Sequence, residues 1–431
     1  MILILTLLLL LLLLFLGMPV AFSLGISGIV GMYFTSGFDG VYSLVFTVPY
    51  RTAASYTLSV IPMFVLMAQA VSQSGLVGHV FEAARKWLER LPAGMAIAAI
   101  FSSAGVAAMS GSSVASAATT ASIVIPEMKK SGYKTHVAAG VVTVAGTLAI
   151  MIPPSVGLVI YGVITENSIG QMLIAGIIPG IMTALVYVVG VIVWQKLRPG
   201  AMPPVTSQYS WGQRLASLKP IWPFMVLVFL VIGSIYLGWA TVTEAASVGA
   251  LGSLVIPIIQ GRMGIKDIIP AVVRTLEITT MIFTIIIGAM IFGYFLTLTQ
   301  APSKLITLIS QMNLAPWMVM MLFLLILGAL GLMLDQLAIV LITLPLMYPV
   351  VMDLGYHPIW FGIIVVKVAE IGLITPPVGM NAYVVSASTG IPLEKVFQGV
   401  GVMLFFELVT LALLLAFPAL TTWLPSMMYA K

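Results

Sequence analysis

Long apolar runs recur from one end of the chain to the other, and polar residues gather into short connectors. Runs of about 20 apolar residues read as membrane-crossing helices rather than as the strands of a barrel. Residues 1–16 are apolar but lack the basic start of a signal peptide, so they are expected to persist as a first helix. Further crossings are predicted at 171–194, 221–238, 243–258 and 394–418. Four segments depart from this simple pattern. Two are apolar pairs interrupted by small or polar residues, at 92–128 around MSGSSVAS and at 315–351 around GLMLDQ. The other two are apolar helices interrupted by a proline pair, at 136–164 and 357–387. The first interrupted pair reads either as two full spans or as a re-entrant hairpin; the chain returns to the same side in both cases.

Basic residues set the orientation. They cluster at Arg85, Lys86 and Arg90; at Lys129, Lys130 and Lys134; at Lys196, Arg198, Arg214 and Lys219; and at Arg262 and Lys266. Cytoplasmic connectors carry the excess of Lys and Arg, so all four clusters belong inside and are separated by even numbers of crossings. The hairpin at 92–128 then opens to the cytoplasm, the hairpin at 315–351 opens to the outside, and both termini lie outside. Lys304 is a minor exception to the charge rule. VFEAARKWLERLP, residues 80–92, reads equally as a helix in the membrane interface or as a cytoplasmic loop helix.

Composition agrees and narrows the class. Of 431 residues, 61% are hydrophobic and 7% charged, with a mean hydropathy of +1.17. A soluble domain carries about 25% charged residues, so the chain is an integral membrane protein. The net charge of +5 follows from the basic cytoplasmic connectors and calls for no nucleic acid. Zero cysteines exclude disulfides and thiol catalysis.

The interruptions are themselves repeated. Pro126, Gly132, Tyr133, Pro153 and Pro154 match Pro349, Gly355, Tyr356, Pro376 and Pro377 at one ungapped offset of 223 (349 − 126). Proline and glycine dictate backbone geometry, so five such matches point to a duplicated architecture. With opposite orientations for the two halves, this is the inverted repeat of a secondary transporter, whose site lies where the two breaks face each other. The halves divide at 1–200 and 221–431, with a polar connector at 201–220.

A proline pair removes backbone donors and stops helical continuation, freeing carbonyl oxygens at membrane depth. IMIPPSVG (150–157) and LITPPVGMN (373–381) both do so, with Pro153, Pro376 and Pro377 as structural breaks. Freed carbonyls suit sodium, and half-helix N-termini suit anions. Ser110, Ser112 and Ser113 at one hairpin tip and Asp335 at the other add side-chain oxygens; Ser112 and Asp335 occupy the same place in the repeat (112 + 223). Lys367 and Glu370, three apart in the second broken helix, either neutralise each other or leave Lys367 to attract an anionic substrate.

Enzymatic readings fare worse. His79, His136 and His357 sit near membrane boundaries, away from the serines, and there is no HExxH or Walker-type loop. Ser112 without a base is a weak nucleophile. An intramembrane hydrolase is the rival from another class, and the chain is expected not to be an enzyme.

At IPMFVLMAQ (61–69), MSGSSVASAATTASIVIPEM (109–128), AGTLAIMIPPSVGLVIYG (145–162), TEAASVGA (243–250), LDQLAIVLITLPLMYP (334–349) and EIGLITPPVGMNAYV (370–384) the chain resembles the large, DctM-like membrane subunit of tripartite ATP-independent periplasmic (TRAP) transporters. GWATV before TEAA departs from the family pattern, in a presumed scaffold helix. The resemblance implies an all-α polytopic membrane protein of the ion transporter superfamily type, an inverted-repeat elevator with two re-entrant hairpins and two proline-broken helices. It implies a bacterial inner-membrane location with periplasmic termini. Implied partners are a small four-helix membrane subunit, a periplasmic substrate-binding protein, the lipid bilayer and a small organic anion, carboxylate or sulfonate, such as sialic acid or a C4-dicarboxylate. Sodium ions are the implied coupling ions, with no organic cofactor. Carried over, one sodium site falls at Ser110, Ala149, Ile152 and Pro154, and the other at Gly328, Gly331, Gly372, Thr375 and Val378. Substrate is expected near Ser112, Ser113, Asp335 and Asn381. The rival within transport is a sodium–dicarboxylate symporter that needs no binding protein.

Overall fold

The computed structural model describes residues 1–203 and 209–428, excluding the side chain of Ser110. It is built of α-helices and short 3-10 turns, with no strand among the described residues. Seven helices among them are long and apolar enough to cross a membrane, or up to nine if each of two bent pairs is one span. Residues 1–16 do form a helix, Ile2–Phe15. The predicted crossings appear at Ile177–Leu197, Trp222–Tyr236, Val242–Ile259 and Leu393–Ala416.

The segment Val20–Ala53, kinked at Gly37 (φ +70°), and the 34-residue helix Ile265–Leu298 lie along each other. Their backbones approach where side chains are absent: a Cβ on Gly28 would strike the backbone of Phe292, and one on Gly31 the ring of Phe295. Small residues permit such contact between apolar helices, where no hydrophobic drive separates protein from lipid. Val60–Gln73 packs on both Ile265–Leu298 and Val242–Ile259, completing one side of the molecule.

The other side holds the interrupted segments. Gly94–Ser110 and Ser113–Lys130 form the first hairpin, Pro316–Gly331 and Gln336–Asp353 the second. The entering arms have 17 and 16 residues, about 25 Å at 1.5 Å per residue, short of a hydrocarbon core of about 30 Å. Both proline pairs interrupt helices as expected, between Met151 and Val156 and between Ile374 and Met380. The first broken helix carries an additional irregularity at Gly146–Thr147, where the Cβ of Ala117 from the hairpin fills the space beside Gly146. Pro358–Ile374 has no such step.

The 80–92 stretch lies mostly in an amphipathic helix, Leu76–Leu88, bent 69° from the preceding Thr57–Gln73. Its Arg85 and Lys86 pair with Glu82, and Arg85 also reaches Glu127 of the first hairpin at 3.6 Å. Of the connector expected at 201–220, residues 204–208 lie outside the described set; Trp211–Leu218 is a helix started by the Ser210–Gln213 capping box.

Candidate transport site

Each break leaves an extended residue at the end of a helix. Ile152 has φ −76° and ψ 123°; Thr375, at the matched position (152 + 223), has φ −89° and ψ 134°. An extended residue turns the chain away from the helix axis, so carbonyls of the last turn lose their partners four residues on. Hairpin tips press against both breaks. A Cβ on Gly111, itself at φ +60°, would meet the Pro154 carbonyl oxygen. Gly331 and Gly372 meet backbone to backbone, and a Cβ on either would collide with the other. A Cβ on Gly379 would approach the Thr375 carbonyl oxygen. Both prolyl–prolyl bonds are cis.

The first group of expected cation ligands is therefore compact: Ala149 and Pro154 are buried, Ile152 is half-buried, and Gly111 carries the tip onto Pro154. The side chain of Ser110 lies outside the described residues. In the second group Gly331, Gly372 and Thr375 come together. Gly328 lies one turn away beside Val368, and Val378 is half-buried at the far end of the break. The Thr375 hydroxyl is already used, donating to the Ile371 carbonyl at 2.5 Å.

Ser112 and Asp335 cap the returning helices of their hairpins. The Ser112 hydroxyl oxygen accepts from the Ala115 N–H at 3.4 Å, and Asp335 Oδ1 accepts from Leu337 and Ala338 at 2.8 and 3.1 Å. Ser and Asp favour this position because a side-chain oxygen satisfies an otherwise orphaned amide. Ser112, Ser113 and Asp335 line one cavity of about 450 Å3 between the two tips. Asn381 is fully buried and stands behind that wall, donating from Nδ2 to the Ser113 hydroxyl.

Lys367 stands apart from these four. It is fully buried and lies 3.0 Å from Glu370 and 2.8 Å from Glu407. Tyr187 donates to Glu407 and lies 3.1 Å from the Thr147 hydroxyl, while Lys367 reaches Thr183 at 3.4 Å. The pairing with Glu370 is the one its spacing allows; Glu407, on a different helix, is the partner that sequence reasoning did not join to it. The same reasoning missed Gln336, Gly157, Gln69 and Arg274, all lining the 450 Å3 cavity. Gln336 adjoins Asp335 and was detectable as an amide at a hairpin tip.

Arg51 lies in a second cavity, of about 460 Å3, beside Glu166, Asn167 and Tyr294. No cluster of three or more His, Cys, Asp or Glu side chains suited to a metal occurs among the described residues.

The described residues thus combine two interrupted helices with two helical hairpins packed against them. The same fold appears in the solved structure of the Alcanivorax borkumensis YdaH transporter, with a TM-score of 0.61 over 90% of this chain and 88% of that one, at 16% identity. Residues 7–420 match the family model for the DctM component of the tripartite ATP-independent periplasmic transporter. The C4-dicarboxylate TRAP transporter large permease protein DctM of Pseudomonas aeruginosa is 36% identical over 94% of both chains. The isethionate TRAP transporter permease protein DctMQ of Oleidesulfovibrio alaskensis is 30% identical, covering 95% of this chain and 63% of that one. The chain belongs to the DctM family of TRAP transporter large permeases.

Proposed function

We propose that this permease carries a small organic anion, carboxylate or sulfonate, across the bacterial inner membrane, driven by sodium and loaded by a periplasmic binding protein. The observation that carries the reading is the pair of matched breaks, each pressed by a hairpin tip, with a cavity between them. Backbone oxygens at Ile152–Pro154 and Gly372–Thr375 seat the cations, since hard cations take oxygen donors; the Gly372 carbonyl, which accepts the Thr375 N–H at 3.2 Å, offers only its second lone pair. Relatives named for C4-dicarboxylate and isethionate transport favour an anionic cargo. In this reading the long helices serve as the static body of an elevator, and the hairpins and broken helices as the moving one. A small four-helix subunit completes the scaffold, and the termini face the periplasm.

Uptake of labelled succinate and isethionate into proteoliposomes, with the cognate binding protein and small subunit, tests the reading. Uptake should require a sodium gradient and should stop when potassium replaces sodium. Pro154→Ala and Pro377→Ala should each shift the sodium titration, because a continued helix recaptures the carbonyls. An unchanged titration in both variants removes the cation seats from these breaks. Uptake without a binding protein would favour the self-sufficient symporter instead.

A further inference from the structure

Three features of the inter-tip cavity have no role so far. Gln336, 8% exposed, lines it, and its side-chain Nε2 has no hydrogen-bond partner among the described residues. An unpaired buried amide donor costs about 1–3 kcal/mol, so this one is available to a ligand or to water in the cavity. That amide lies directly on Gly157, the second residue of the nine-residue helix Val156–Ile164, so closely that any Cβ at Gly157 would overlap it. The Ser155 hydroxyl caps this helix through the Leu158 N–H, and the amides of Val156 and Gly157 remain outside the helical ladder. Finally, Arg274 and Asp335 are the ionisable residues lining the cavity. Asp335 Oδ1 is committed to capping, whereas Arg274 uses one nitrogen on Glu277 at 2.7 Å and keeps its other donors.

We propose that the anionic group of the cargo is held at the first turn of Val156–Ile164, by the Val156 and Gly157 amides and the Gln336 side-chain amide, with Arg274 of the Ile265–Leu298 helix as its counter-charge. This rests on the transport reading above and deepens it to a subsite. Two N–H groups at a positive helix end, plus a neutral amide, bind a carboxylate or sulfonate without leaving a bare charge in the membrane when the site is empty. Gly157 is required because a side chain there would displace the amide and block the anion. Arg274 belongs to the opposite body, the long-helix side. It therefore attracts the anion only when the hairpin tips stand beside it, as they do here. A third cavity, of about 130 Å3, shares Gln69, Ala115 and Arg274 with this one and extends past Ser72 and Thr119.

The absence of native cysteine allows a test that needs no knowledge of the cargo. Ser112→Cys places one thiol on the exposed rim of the cavity in the full-length protein. Its reaction rates with an anionic methanethiosulfonate (the ethylsulfonate) and a cationic one (the ethyltrimethylammonium) are compared in nanodiscs. The anionic reagent should react faster, and adding Gln336→Glu or Arg274→Gln should each lower the anionic-to-cationic ratio about tenfold, the scale of a hydrogen bond to a charged group. Arg274 has an exposed side chain, so its variant folds even if Gln336→Glu does not. A ratio unchanged by both substitutions overturns the subsite. Wild-type proteoliposomes that take up neither succinate nor isethionate overturn the cargo reading separately, since the labelling ratio does not depend on transport.

Discussion

The two proline breaks are built to one plan and finished differently. In the first, Pro153, Pro154 and Ser155 are buried, the neighbouring helix Thr135–Ala145 is buried along most of its length, and no acidic or basic side chain lies in the interrupted segment between Thr147 and Ile164. In the second, Pro376 and Pro377 are exposed, and the helix leading to them carries Lys367 and Glu370 at full burial. Val144 occupies the place of Lys367 in the first half (367 − 223), and Thr147 that of Glu370. The hydrogen-bonded chain Thr147–Tyr187–Glu407–Lys367–Glu370 therefore runs from one broken helix to its counterpart. One break is held by close packing, the other by a buried ionic brace. The backbones at Ile152 and Thr375 are alike, while what surrounds each break differs.

The largest contrast should come from the brace. Lys367→Met strands two carboxylates in the interior and should cost about 3–5 kcal/mol. Val144→Ala, at the matched position, should cost about 2 kcal/mol for its two lost methyl groups. Thermal unfolding of the purified protein reads both, and equal losses would erase the distinction. Next come the tip contacts. Gly372→Ala forces Gly331 away at about 1–3 kcal/mol, and Gly111→Ala adds about 1–2 kcal/mol of left-handed strain to its clash with Pro154. Each should impair sodium-dependent uptake more than expression; intact sodium titrations in both would separate the tips from the cations.

The caps should be more alike. Ser112→Ala and Asp335→Ala should each cost about 1 kcal/mol, and Asp335→Asn should be nearly neutral for folding because Asn caps as well. If Asp335→Asn nevertheless lowers uptake, its charge acts on ion or cargo; wild-type transport would confine it to capping. The smallest effect is one of access. Val378→Cys, half-buried, should label a few-fold faster than Ser155→Cys, fully buried at the matched position (155 + 223), since local exposure governs reaction with a soluble thiol reagent. Equal rates would mean that both breaks are equally open in solution.

Apolar run length, proline pairs and the constant offset of 223 are local or periodic signals, and they determined the helical membrane class, the positions of both breaks and both hairpins, and the equivalence of Ser112 with Asp335. The Lys367–Glu370 pair was legible too, because a three-residue spacing puts both side chains on one helix face. Glu407 and Tyr187 could not be joined to it, being 40 and 180 positions away from Lys367 (407 − 367 and 367 − 187) and brought there only by helix packing. Gln336 settling on Gly157 and Arg274 entering the cavity wall were decided in the same way. A helix fixes which of its own residues share a face, but which face meets which neighbour depends on close packing across the whole molecule.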